Sequence, residues 1–201
     1  MSVGPILTAA AALTLSSGAM AQGVTYKPAP VDPLAVQIMD SYARCAVAHD
    51  ARRAATLLAA DYRTDAYRRG VRDFAMENRG CLHGGKLRFA QLIFAGDMAE
   101  ALLRRERVSP DQIAQRSASD AAPSAARCIV RKRPRDVAAL LTTAPTSGDE
   151  HDAIATLGDA LIACMPKGQT AVTNTVGLRA ELALATYHVI HDQTPEVSGS
   201  R

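Results

Sequence analysis

Four cysteines and five histidines are the side chains of this chain best suited to covalent or metal chemistry, and their spacing limits what they can do. Cys45 and Cys81 are 36 residues apart, and so are Cys128 and Cys164. Zinc sites and thiol–disulfide oxidoreductases use close Cys-x-x-Cys pairs, and covalent haem attachment needs such a pair followed by His. The chain has none. Wide, even spacing reads instead as a disulfide framework, which belongs to exported chains. Among His49, His83, His151, His188 and His191, only His188 and His191 form a local pair, at i and i+3 on a helix, that could share a metal. Asp192 adjoins His191 on the wrong face. The pair therefore reads as one ring packed on the core and one at a helix C-terminus, where positive charge is favoured. No metal and no cofactor are expected.

Nucleophile motifs are missing as well. There is no Gly-x-Ser-x-Gly, no His-Glu-x-x-His, no Ser-x-x-Lys and no phosphate-binding glycine loop. A pair of carboxylates working as acid and base can lie far apart in sequence. The clefts that cleave sugars lean on aromatic platforms, however, and three Phe, five Tyr and no Trp supply few. Glu100 and Glu181 are the acids that stand out, because they occupy equivalent places in a repeat. Arg44 and Arg127 do the same. Each Glu is expected to pair with the Arg of its own half, Glu100 with Arg44 and Glu181 with Arg127, as a structural contact that a repeat preserves.

The repeat appears at an offset of 83 residues, which sets Cys45 on Cys128 and Cys81 on Cys164. Between Ser41–Ala60 and Ser124–Thr143, nine of 20 positions are identical: Ser41, Ala43, Arg44, Cys45, Val47, Arg52, Ala55, Leu57 and Leu58 recur. Chance would give about two in an Ala-rich chain. After a two-residue slip, Gly96-x-x-Ala99-Glu100-x-x-Leu103 matches Gly177-x-x-Ala180-Glu181-x-x-Leu184. Four cysteines allow three connectivities. Inheritance of one bridge by each copy selects Cys45–Cys81 and Cys128–Cys164.

The elements that carry these residues read as helices. Leu34, Ile38, Tyr42, Cys45 and Ala46 recur at helical spacing after Asp32-Pro33. A short helix starts at Ala51 behind the N-cap Asp50, and at Pro134 in the second copy. A third carries Tyr67, Val71 and Phe74, with Ile154, Leu157 and Leu161 as counterparts. A fourth runs from about Leu87 to Arg105 and from about Val172 to His191. The fold class is all-α: a tandem duplication of a disulfide-stapled helical unit, about four helices per copy.

Residues 1–21 hold no charged side chain, an apolar run from Pro5 to Leu15, and small residues at Ala19 and Ala21. They read as a secretory signal peptide cleaved before Gln22, too short in its apolar part to remain as a membrane span. The chain then divides into a linker at 22–32, helical repeat 1 at 33–106, a linker at 107–122, helical repeat 2 at 123–192 and a disordered tail at 193–201. Of the 201 residues, 48% are hydrophobic, 21% charged and 4% aromatic, and 23 Lys and Arg against 20 Asp and Glu leave +3. This excludes intrinsic disorder and gives no reason to expect nucleic acid. Basic clusters at Arg68-Arg69 with Arg72, at Arg104-Arg105 with Arg107, and at Arg131-Lys132-Arg133 with Arg135 read as solvated helix faces.

With its cysteine anchors and the stretch Gly177-Leu178-Arg179-Ala180-Glu181-Leu182-Ala183-Leu184, the chain resembles secreted helical proteins of alphaproteobacteria. Those carry a Leu-Arg-Gly-x-Leu-Ala-Glu-Ala-Leu stretch late in the chain. Gly96-Asp97-Met98-Ala99-Glu100-Ala101-Leu102 fits it in part. The resemblance covers about half the mature chain, implies a cell-envelope setting and no known activity, and carries no functional residue over. The expectation is a periplasmic or secreted, non-enzymatic binding or structural module with an envelope or protein partner and no transmembrane segment in the mature chain. The alternative is an envelope hydrolase using a carboxylate pair.

Overall fold

The computed structural model of the chain describes residues 32–82, 90–165 and 174–192. The expected signal peptide, the tail at 193–201, His83 and all of the first linker except Asp32 lie outside them. Among the described residues there are ten α-helices and no strand. In order they are α1 (Pro33–His49), α2 (Ala51–Leu58), α3 (Asp65–Glu77), α4 (Gln91–Arg105), α5 (Pro110–Ala118), α6 (Ala125–Lys132), α7 (Pro134–Thr142), α8 (Gly148–Thr156), α9 (Gly158–Cys164) and α10 (Thr175–His191). A short 3-10 turn, Arg79–Cys81, follows α3. No described helix is long and apolar enough to cross a membrane.

Local chemistry sets most of the helix starts. Side-chain oxygens of Asp32, Asp50, Thr64, Ser109, Ser124, Ser147 and Asn174 each accept a backbone N–H of the first turn of the helix that follows. Pro33, Pro110 and Pro134 occupy first-turn positions, where the missing N–H costs nothing. In the second half the expected third helix is broken: α8 ends at Thr156 and α9 begins at Gly158, with fully buried Leu157 between them. Glycine is a poor interior helix residue, and its place beside a core leucine puts the break there.

The helices pack around a central pair, α4 and α10, the most extensive contact between described helices. Helix α1 lies on α4, and α6 lies on α10. Gly96 of α4 makes the central contact possible. A Cβ placed there would stand 2.4 Å from the Cα of Ala180 and 2.8 Å from its carbonyl oxygen. One continuous apolar core runs through both halves: Tyr42, Phe74 and Phe94 fill the first, and Val130, Leu140, Leu157 and Leu182 fill the second.

Two expectations about the elements change. Residues 107–122 are not a bare linker: α5 lies there, with Ile113 and Ser117 buried, and packs on α6, α7 and α10. On α1 the buried face is Met39, Tyr42, Ala43, Ala46 and Val47, while Leu34 and Ile38 are exposed. The cysteines pair as Cys45–Cys81 and Cys128–Cys164, each with 5.7 Å between Cα atoms. The first ties α1 to the turn after α3, and the second ties α6 to the end of α9.

Gly96→Val should separate α4 from α10, because the atoms it meets are backbone and cannot rotate away. We expect a loss of about 1–3 kcal/mol in urea denaturation. An unchanged midpoint would mean that the two helices do not approach this closely.

Candidate functional site

The chain's most unusual chemistry is buried between α4, α8 and α10. Arg179 lies on α10, which is apolar on almost every face, and its side chain is 4% exposed. All five of its N–H donors are used. Nε donates to Glu100 Oε2 at 2.9 Å, and Nη2 donates to Glu100 Oε1 at 2.6 Å and to the Thr143 carbonyl at 2.9 Å. Nη1 donates to Glu150 Oε1 at 2.9 Å and to Thr143 Oγ1 at 3.0 Å. Burial alone would lower the pKa of this guanidinium, but the hydrogen bonds and charges of Glu100 and Glu150 outweigh it and raise the value.

The loop before α8 is shaped to complete this arrangement. Thr146 adopts a positive φ of 65°, costly for a β-branched residue, and its N–H donates to Glu150 Oε2 at 2.7 Å. On the other side, Arg104 pairs with Glu100 and donates to the Leu141 carbonyl at 2.9 Å. Arg104 also stands 3.9 Å from Asp40, which pairs at 2.8 Å with Arg44. The result is a chain of alternating charge, Arg44–Asp40–Arg104–Glu100–Arg179–Glu150, running from α1 through α4 and α10 to α8.

Asp97 is the acid left over. It lies one turn before Glu100 on α4, and its Oδ2 is buried without a hydrogen-bond partner. Desolvation, then the nearby Glu100 and Asp40, push its carboxyl up to about 8, against the opposing pull of Arg179 and Arg104. Near neutral pH the group therefore holds its proton, and the three arginines of the chain match the three remaining carboxylates.

Next to this cluster a cleft of about 280 Å³ opens between α4, α5 and α7. Its walls include Leu103, Val108, Ile113 and Leu141, and its cations are Arg104 and Arg107. Arg107, two residues beyond the end of α4, has φ 54°, the left-handed position after a helix that glycine fills at least cost. Its neighbour closes the cap, the Val108 N–H donating to the Leu103 carbonyl at 3.1 Å.

The expected pairs within each half do not form. Glu100 reaches across to Arg179 of the other half, and Arg44 turns to Asp40, which is four residues away on its own helix. Arg127 binds Asp120 through Nε at 3.0 Å and Nη2 at 2.5 Å, and Asp192 through Nη1 at 2.6 Å. Glu181 stays on the exposed side of α10. Nor is Arg104 on a solvated face, as its basic cluster suggested. His188 lies 3.5 Å from Asp192, while His191 binds Glu106 at 2.9 Å and packs on Tyr187 with ring centroids 4.2 Å apart. The two histidines thus face different acids. Among the described residues, the one cluster with the composition of a metal site is Cys45, His49 and Cys81, and both of its sulfurs are in the bridge.

Arg179, Glu150, Asp40 and Asp97 were missed from sequence. The i,i+4 spacings Asp40/Arg44 and Glu100/Arg104 were legible signals. An Arg inside the apolar run of α10 was another, since a buried cation requires buried partners.

Arg179→Leu should cost about 3–5 kcal/mol in chemical denaturation, because Glu100 and Glu150 would be left buried without their cation. A loss below about 1 kcal/mol would place these carboxylates in water. Asp97 gives a pH signature. Its folded pKa is raised from 3.8 to about 8, so the stability it contributes is complete below about pH 4 and is lost as pH rises toward 8. Within that window the slope is about 1.4 kcal/mol per pH unit. Asp97→Asn should remove this slope and make the variant more stable than the parent at pH 8.5. Parallel pH profiles for parent and variant would refute the assignment.

Compared with protein-family models, with curated proteins and with solved structures, the chain matches none, so the reading of the site rests on its own geometry.

Proposed function

We propose that the chain is an exported helical module of the cell envelope that acts by binding rather than by catalysis, with the cleft beside α5 as its ligand site. The observation that carries this reading is the contrast between the two neighbouring regions. Asp40, Glu100 and Glu150 are each held by arginine, which leaves no free acid–base pair there. The cleft next to them combines apolar walls with Arg107, an exposed cation in a strained backbone conformation. Strain of this kind is a pointer to function when it places a side chain at a site. Counting Glu100, Arg104 and Arg107, the lining carries a net +1, which suits a small amphipathic anion: a carboxylate on Arg107 with an acyl chain along Leu103, Val108 and Ile113.

Export is supported by the apolar segment before Gln22 and by the two bridges, which form and persist in oxidising compartments. Periplasmic or secreted localisation is part of the same proposal, and so is the duplication. In its favour, α1 on α4 corresponds to α6 on α10, α1 on α2 to α6 on α7, and α2 on α3 to α7 on α8. An experimental structure with a different packing order in the two halves would overturn the duplication.

One observation favours the hydrolase reading: Asp97 holds a proton beside the carboxylate of Glu100. Against it, Glu100 is bound to two arginines and Asp97 Oδ2 is sealed from solvent.

Titration of the chain from Gln22 onward with octanoate, followed by amide chemical shifts, separates the readings. Binding predicts saturable shifts around Leu103–Ile113 and Leu141 that Arg107→Glu abolishes. Absence of shifts in the parent would sink the ligand site. Release of soluble fragments from purified envelope polysaccharide by the parent but not by Asp97→Asn would replace binding with hydrolysis.

A further inference from the structure

The two disulfides are alike in spacing but not in surroundings. His49 is the last residue of α1, one helical turn after Cys45, so both side chains lie on the same face. Its Nδ1 stands 3.9 Å from Cys81 Sγ, and the ring nitrogen and both sulfurs lie within 4.8 Å of one another. The offset of 83 that maps Cys45 onto Cys128 maps His49 onto Lys132. Among the described residues, no His, Asp or Glu completes such a group at Cys128–Cys164. The two residues of the first bridge also differ in burial: Cys81 is 6% exposed, whereas Cys45 is only partly buried.

We propose that Cys45–Cys81 is a thiol–disulfide exchange site, opened by an external dithiol at Cys45, with His49 assisting the departure of Cys81. A thiolate of the dithiol attacks Cys45 Sγ, the sulfur of the less buried cysteine. A mixed disulfide forms at Cys45, the Cys45–Cys81 bond breaks, and Cys81 leaves with the electron pair as thiolate. The Nδ1–H of His49 donates to that thiolate and lowers its basicity, which speeds its departure. The second thiol of the reductant then attacks its partner sulfur in the mixed disulfide. This frees Cys45 and closes the reductant to a cyclic disulfide. Two electrons and two protons pass from the dithiol to the bridge. The outcome unclips α1, the helix that carries Asp40 and Arg44, from the turn after α3.

The inference is independent of the cleft and of any ligand there. Its test uses the parent chain, dithiothreitol at neutral pH, timed alkylation and peptide mapping. Cys45–Cys81 should open before Cys128–Cys164. His49→Ala, a change at an exposed helix end, should slow the first bridge by about tenfold and leave the second unchanged. A limiting pulse of glutathione, a monothiol, should leave its adduct on Cys45. This regiochemistry tests the point of attack and needs no variant, while the rate in His49→Ala tests the part played by His49. Opening of Cys128–Cys164 first or at the same rate, an adduct on Cys81, or an unchanged rate in His49→Ala at equal melting temperature would each overturn the proposal.

Discussion

The fold depends on one guanidinium. Arg179 sits in the second turn of α10, out of water, in a helix that is otherwise built to be buried. An ion so placed is tolerable only with every donor satisfied and opposite charge in contact. Its acceptors come from three different parts of the chain: Glu100 on α4, Glu150 on α8 and Thr143 at the end of α7. These elements are therefore not free to slide. A shift of α4 along α10 by one residue would strand Glu100 and Arg179 together, at a cost of several kcal/mol. Gly96 against Ala180, one turn from Glu100, sets the closeness of the same helix pair by shape where Arg179 sets its register by charge.

This arrangement suits a chain poor in aromatics. Three aromatic rings, Tyr42, Phe74 and Phe94, cluster in the first half, and the second half relies, Tyr187 apart, on smaller aliphatic side chains. Apolar burial per residue is correspondingly modest, and the chain adds covalent and ionic ties. Each disulfide closes a long loop, which disfavours the unfolded ensemble. The ionic chain joins the two halves, which the disulfides do not. With α5 wedged against α6, α7 and α10, the halves share one core.

A buried ionic chain also concentrates acids. Asp97 is desolvated by burial first of all and lies near Glu100 and Asp40 besides, and it answers by keeping its proton. The same crowding explains why the neighbouring cleft is cationic at its mouth: the carboxylates face inward to arginine, and Arg107 just beyond α4 is left facing solvent.

What the sequence determined by itself was local and covalent. Asp50 and Pro134 mark where α2 and α7 begin, because capping and proline geometry act within a turn. The equal cysteine spacing pointed to Cys45–Cys81 and Cys128–Cys164, the pairs that form. Helical periodicity sufficed for the all-α class. The charged pairs were another matter. The repeat expected from sequence sets Glu100 and Arg44 against Glu181 and Arg127, yet Glu100 is buried against Arg179 while Glu181 stays exposed. Repeat logic assigns partners within each half, whereas α4 and α10 meet across the halves. Which face of each helix turns inward depends on that crossing, and so do the burial of Asp97, the packing of α5 and the cleft beside it. No window of sequence encodes the crossing, because Gly96 and Ala180, or Glu100 and Arg179, acquire meaning only once they are neighbours.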